Sequence, residues 1–288
     1  MILVTGATGN VGGALLRQLS ADGHPVRALV RTPEKADDLR GIDCETAVGD
    51  LARPESLDDA LRGVDAAFLV TPGQPDQPAL ETAFLDAAGR SAERPHVVKL
   101  AAAGFGHDNP SAYGRNHAEI VDALRRSGLP HTVIAPSTFM SNLLFDAATV
   151  QSDGAIYAPA ADAAIAYIHP GDIAAVAAHV LAKPGPHDGA TYVATGPEAL
   201  TYHQIAEKVG RVAGREVRYV PVSPEQARSA MLAAGMDEWQ VDALLGLFQI
   251  YRAGLARDTT DEVSKATGRP ARSLDDFLAA HAAAFRSA

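Results

Sequence analysis

Three glycines near the start of the chain have a spacing that can hold phosphate. Val4-Thr5-Gly6-Ala7-Thr8-Gly9-Asn10-Val11-Gly12 follows the apolar run Met1-Ile2-Leu3-Val4 and leads into Val11, Leu15 and Leu19, which recur every fourth residue. The run reads as a buried strand and the recurrence as one helix face. The glycines therefore lie between a strand and a helix, the setting in which this spacing carries chemical meaning. Gly6 permits the tight turn out of the strand, Gly9 leaves the backbone open to a pyrophosphate, and Gly12 lets the helix lie close on the sheet. The N–H groups around Thr8, Asn10 and Val11, at the positive end of the helix dipole, complete an anion cradle. A second chemical pair is Tyr113 and His117, four residues apart on a helix predicted over 111–127 and so on one face. Either side chain can hydrogen-bond a ribose or serve as a proton donor.

These groups must be positioned by the elements between them. Pro25 to Val30 predicts a second strand that closes on Arg31. An acidic residue at this strand end would bond a ribose 2′-hydroxyl; Arg31 instead suits a 2′-phosphate, with Lys35 as a second cation, so NADP is favoured and NAD remains possible. Asp43 to Val48 predicts a third strand, after which Asp50 faces an adenine amino group and Leu51 packs on the ring. Val64 to Val70 reads as a central strand buried on both faces, ending at Thr71 beside the nicotinamide ribose. His96 to Ala101 and Pro130 to Ala135 are the fifth and sixth strands, and Ala102 and Pro136 at their ends flank the nicotinamide. Strand and helix alternate from residue 1 to residue 136, which demands right-handed crossovers and a doubly wound parallel sheet, an α/β fold of the Rossmann type.

Beyond that point the pattern loosens. Residues 1–150 are expected to form the nucleotide-binding domain and 151–288 a smaller mixed lobe that binds substrate, with a helix near 171–183 packing back on the core. Phe139 to Val150 is expected to be helical and places Phe139 and Asn142 toward the acceptor, with Ser137 nearby. Thr191 to Ala194 is expected as a short strand. Thr201 with Gln204, and Ser223 with Gln226, have capping-box spacing. His169, just before Pro170, reads as structural. The lobe is expected to cover the C-terminal edge of the sheet, where ligands of open α/β sheets bind; whether Asp237 to Gly254 is lid or interface is open.

The 288 residues, 47% hydrophobic and 21% charged, are ordinary for a globular protein. A formal net charge of −10 disfavours nucleic-acid binding. No apolar run has the length of a membrane span, no leader is expected, and Cys44 is the only cysteine, expected to be buried, so the cytoplasm is the expected location. Ten histidines are scattered without metal-ligand spacing, and no metal is expected. No Gly-x-Ser-x-Gly elbow is present, and the glycine turn lacks the Lys-Ser/Thr of a phosphate-transfer loop. The expected partner is a small-molecule substrate; the oligomeric state is not legible.

The chain resembles the NmrA-like branch of the atypical short-chain dehydrogenases/reductases. The resemblance rests on Gly6 to Gly12, Val26-Arg27-Ala28-Leu29-Val30-Arg31, Gly49-Asp50-Leu51, Gly63-Val64-Asp65 and Ser127-Gly128-Leu129-Pro130. It continues through Phe139-Met140-Ser141-Asn142-Leu143, Asp172-Ile173-Ala174, Thr195 to Thr201 and Thr267-Gly268-Arg269-Pro270. It implies an NAD(P)-binding domain with a small C-terminal substrate lobe. The wider superfamily pairs a Tyr-x-x-x-Lys with a serine after the fifth strand. Here Tyr113 holds the tyrosine position, His117 stands where lysine would be, and Ala101-Ala102-Ala103 carries no hydroxyl. The arginine that the family often carries before the proline of the sixth strand is Ala135. The expected activity is NADPH-dependent reduction of a small conjugated acceptor, a quinone or a conjugated ketone. The alternatives are a non-catalytic NADP(H)-sensing regulator and a tailoring enzyme that uses the fold for a non-redox step.

Overall fold

A computed structural model describes residues 1–286. Its strands are β1 (Ile2–Val4), β2 (Val26–Val30), β3 (Glu45–Val48), β4 (Ala66–Leu69), β5 (His96–Leu100), β6 (His131–Pro136), β7 (Ala155–Ala158), β8 (Ala164–Ala166), β9 (Thr191–Ala194), β10 (Ala199–Thr201) and β11 (Arg218–Pro221). Its α-helices are α1 (Asn10–Ala21), α2 (Asp58–Leu61), α3 (Gln77–Arg90), α4 (Ala112–Ser127), α5 (Ala147–Asp153), α6 (Pro170–Ala182), α7 (Tyr202–Ala213), α8 (Pro224–Ala233), α9 (Glu238–Arg252), α10 (Glu262–Thr267), α11 (Leu274–Ala280) and α12 (Ala282–Phe285).

Seven strands form one sheet in the order β3-β2-β1-β4-β5-β6-β9, and every pairing in it is parallel. Parallel strands need crossovers, and the crossover helices cover both faces. This is why all of Ala66-Ala67-Phe68-Leu69 in β4 is buried. Helices α1, α6 and α10 pack on one face through Val11, Leu15, Leu19, Ile173, Val176 and Val263. On the other face, α2, α3 and α4 pack through Leu61, Phe84, Leu85, Val121 and Leu124. The strand order reverses between β1 and β4, so the crevice at that switch point opens beside the glycine turn.

β9 departs from the sequence reading, which left 191–194 in the second lobe. It pairs with β6, Val133 opposite Thr191 and Pro136 opposite Ala194. The cause is α6: its Ala-rich, almost wholly buried surface packs on α1 and carries the chain back across the sheet. A boundary at 150 therefore leaves α6, β9 and α10 of the larger layer on its far side. Cys44 is only half-buried, since it precedes the edge strand β3.

The second lobe has its own core, built by Ile156, Ile165, Ile205, Val209, Phe277 and Phe285 around two small two-stranded sheets. Capping boxes form at Thr201 with Gln204, Ser223 with Gln226 and also Ser273 with Asp276. The helix expected over Phe139–Val150 divides into a 3-10 turn, Met140–Asp146, and α5. Ser141 and Asn142, whose side chains compete for backbone groups, weaken the α-form there.

The C-terminal segment is tied to α6 by a buried carboxylate. Asp172 is fully buried and accepts from the Arg272 backbone N–H at 2.7 Å and from Arg272 Nη1 at 2.6 Å, with Arg269 Nη2 at 3.9 Å. His169 caps the same helix, its Nδ1 accepting from the Gly171 N–H at 2.9 Å, so it has the structural role read from the sequence. No helix of the described residues is long and apolar enough to cross a membrane.

Candidate cofactor cleft and catalytic face

The turn after β1 is fixed by Thr5. Its hydroxyl donates to the Val70 carbonyl at 2.9 Å and accepts from the Val70 N–H at 2.8 Å, joining the ends of β1 and β4 at the switch point. Gly6 then takes φ +59°, where a side chain would also meet Val70 Cγ1 at 2.7 Å. Gly12 rests directly on this turn. A methyl there would run into the Gly6 carbonyl oxygen and stand 2.7 Å from its carbon and 3.0 Å from the Thr5 oxygen. α1 thus begins with no side chain between helix and strand, and its first turn carries no acidic residue. Thr8, Gly9 and Asn10 are exposed. Val11 is buried in the core, so it offers the cleft only its backbone. Open N–H groups, an unopposed helix dipole and a backbone that glycine alone permits fit a pyrophosphate.

The other expected residues stand at successive strand ends along the same edge. Arg31, after β2, is exposed and has no ion-pair partner among the described residues. Lys35 instead pairs with Asp38 at 3.0 Å, but both groups are exposed and such a pair is weak. Asp50, after β3, is partly spent on its own turn: Oδ1 accepts from the Ala52 N–H at 3.0 Å, and Arg53 Nε lies 3.8 Å from Oδ2. Leu51 packs against the core beneath it. Thr71, after β4, turns its hydroxyl back to donate to Glu81 at 2.8 Å. Ala102 is half-buried and Pro136 buried at the ends of β5 and β6. Ser137 Oγ is buried with no hydrogen-bond partner among the described residues. Phe139 packs on the first core, and Asn142 is exposed.

Tyr113 and His117 do share a face of α4. The Tyr113 ring lies on the loop after β4, where Gly73 admits it: a Cβ there would be 2.6 Å from Cε1. Its other side meets Trp239 of α9 edge-on at 5.4 Å. The α9 helix is thus seated on the start of α4, and Ser111 Oγ donates to the Ala243 carbonyl at 2.7 Å. Burial, then the charge of Asp237, push the Tyr113 phenol above its ordinary range. His117 Nδ1 is buried without a partner. Burial, then the charge of Lys99, hold this imidazole well below the ordinary histidine range. Both side chains are therefore uncharged at neutral pH.

Lys99 was not a candidate in the sequence. It lies on β5, fully buried, with Nζ 2.6 Å from Oε2 and 2.9 Å from Oε1 of the equally buried Glu81 on α3. Glu81 Oε1 also accepts from Gln77 Nε2 at 3.2 Å. The available signal was a lysine inside the apolar strand His96-Val97-Val98-Lys99-Leu100, with a glutamate on the buried face of the preceding helix. An open cavity of about 500 Å³ between α3 and α4, lined by Thr82, Asp86, Asp122 and Arg126 among others, includes none of the strand-end residues.

A glycine turn that admits no side chain, at the switch point of a seven-stranded parallel sheet, places the protein in the dinucleotide-binding α/β class. The chain belongs to the NmrA-like family, whose pattern it matches over residues 1–277. It is 40% identical over 288 residues to the NAD(P)H azoreductase of Xenophilus azovorans, covering 100% of each chain. It is 39% identical over 290 residues to the (4-alkanoyl-5-oxo-2,5-dihydrofuran-3-yl)methyl phosphate reductase of Streptomyces griseus subsp. griseus, covering 99% of each. Among solved structures, the triphenylmethane reductase of Citrobacter sp. complexed with NADP(H) superposes with a TM-score of 0.85 at 25% identity, over 97% of this chain and 100% of that one.

Proposed function

We propose that this protein is an NADPH-dependent reductase of a small conjugated acceptor. The observation that supports the reading is the close Gly6–Gly12 contact, a turn that glycine alone permits at the switch point of the sheet, together with a Tyr113 and a His117 that both stay uncharged on α4. The relatives named as an NAD(P)H azoreductase and as a (4-alkanoyl-5-oxo-2,5-dihydrofuran-3-yl)methyl phosphate reductase support the reading. A reductase drawing on NADPH works where that donor is held, and we place the protein in the cytoplasm.

The turn from Gly6 to Gly12 would hold the pyrophosphate and Arg31 the 2′-phosphate, with Leu51 beside the adenine. Thr71, Ala102 and Pro136 would border the nicotinamide, and Phe139 and Asn142 the acceptor. The bound cofactor supplies a hydride. Tyr113, whose phenol keeps its proton, donates a hydrogen bond to the acceptor and orients it; His117 contributes a neutral imidazole. A phenol pushed above its ordinary range and an imidazole that stays neutral are both poor acids, so the proton that completes reduction comes from water. Most of the acceleration is then positioning in a cleft narrowed by Trp239.

The test follows NADPH consumption against azo dyes, quinones and unsaturated ketones or lactones, with NADH as a parallel donor. Turnover of one acceptor class with NADPH supports the reading; tight NADPH binding with no turnover of any class would sink it in favour of a binding-only protein. Arg31→Asp is expected to weaken NADPH binding by about 10- to 100-fold, the value of a charge-assisted phosphate contact, and to shift the donor ratio toward NADH. An unchanged ratio would remove Arg31 from the 2′-phosphate site.

A further inference from the structure

A fully buried ion pair lies beneath the catalytic face, and nothing in the fold requires a charge there. Removing two ions from water is expensive, and apolar side chains of similar volume often stabilise a core as well or better. Lys99 and Glu81 lie on the face of the sheet whose core includes Leu85, Val97, Val121 and Leu124, with the buried Gln77 as a further polar side chain. The pair is not isolated from the cleft. Glu81 Oε1 takes the Thr71 hydroxyl from the end of β4, and the loop that follows Thr71 carries Gly73, on which Tyr113 lies. The same loop is fastened to α4 a second time, by Asn116 Nδ2 donating to the Gln74 carbonyl at 2.9 Å. On its other side the Lys99 charge acts on His117, whose buried Nδ1 has no partner among the described residues. The cluster therefore touches both cleft side chains of α4, one through the loop and one through its field.

We propose that Lys99 is the positioning residue of this site: a buried cation that fixes the Glu81 carboxylate, and through it Thr71 and the β4-end loop on which Tyr113 lies, so that the α4 side chains meet the cofactor or acceptor in one arrangement. Burial first, and the Lys99 charge after it, keep the His117 imidazole uncharged. The positive charge that α4 lacks at position 117 is thus supplied from the strand below. It acts through its neighbours, since with no exposed surface Lys99 touches no ligand. Burial draws the Lys99 ammonium below its ordinary range, and the Glu81 charge and hydrogen bond oppose this. The charged group that acts on His117 is Lys99 from β5; Glu81 from α3 is turned to Lys99. The inference rests on the reductase reading only for what the positioned groups serve.

The test compares the wild-type protein with K99M/E81L, which replaces both ions with apolar groups of similar size and leaves no unpaired charge. Three quantities are read on each: the His117 titration by NMR, NADP⁺ affinity by calorimetry, and kcat and KM across pH. In the wild type His117 is expected to titrate well below the ordinary histidine range, chiefly because it is buried, and in K99M/E81L to titrate higher once the Lys99 charge is gone. NADP⁺ affinity is expected to fall as Thr71 is released, and kcat to fall about 10- to 100-fold, more than KM for NADPH rises. A wild-type His117 that titrates at an ordinary histidine value overturns the proposal without any variant. So does a folded K99M/E81L protein with unchanged His117 titration and NADP⁺ affinity. If the wild type binds NADP⁺ but reduces no acceptor, the reductase reading fails alone, and the titration and affinity comparison still decides the role of Lys99.

Discussion

Gly12→Ala is expected to weaken NADPH binding by at least about 100-fold, the loss of two charge-assisted hydrogen bonds to phosphate. The added methyl meets backbone, not a flexible side chain: the carbonyl of Gly6 on one side and the Thr5 oxygen at 3.0 Å on the other. Neither can yield alone. Thr5 is pinned to Val70 by two hydrogen bonds, and Gly6 already occupies a left-handed conformation at φ +59°. The start of α1 must therefore lift from the turn, and the N–H groups that would face a pyrophosphate move with it. Crowding of this kind also costs stability, about 1–3 kcal/mol. The change is far from the second core, so secondary structure by circular dichroism should be kept while an NADPH fluorescence titration shows the loss. Unaltered affinity in a folded Gly12→Ala protein would mean that phosphate lies elsewhere.

Asp172→Ala should lower the stability of the whole chain by about 3 kcal/mol, the low end for breaking a buried pair because the Arg272 side chain is 33% exposed. The carboxylate satisfies the Arg272 backbone N–H as well as its guanidinium, so its removal also strands a donor. The drop corresponds to roughly 6–12 °C in melting temperature for a chain of this size. Asp172→Asn, which keeps one acceptor oxygen, is expected to fall between. A thermal melt of the three proteins checks the order; an Asp172→Ala melt at the wild-type temperature would show that the knot is not what secures the C-terminal segment.

What could be read from sequence and what could not divide along a physical line. The glycine turn, the strand ends and the face shared by Tyr113 and His117 depend on residues close in the chain, and short-range periodicity reports those. Arg31 and Lys35 looked alike in sequence, yet only Arg31 is without an ion-pair partner among the described residues, because Asp38 lies within reach of Lys35 on the same short turn. Asp50 looked free but is engaged by the turn it opens. Lys99 with Glu81, and β9 with β6, are pairings across long stretches of chain. Periodicity marks such residues only as anomalies, a charge in an apolar strand or a strand with no stated neighbour. The seating of α9 on α4 turns on the small Gly246, against which the backbone of Pro110 and Ser111 lies, and propensity is silent on such contacts.

The order in which the chain visits its two cores has a mechanical consequence. Met140 to Tyr167 belong to the second core, Ile168 to Ala194 to the first, Leu200 to Tyr251 to the second again, Val263 to the first, and Leu274 to Phe285 to the second. Two lobes stitched by so many crossings cannot swing apart about a single hinge, since every connecting segment would have to bend at once. Ligand exchange in such a body is expected to proceed by small local displacements at the rim, where Trp239 leans on Tyr113 from a helix with one exposed flank.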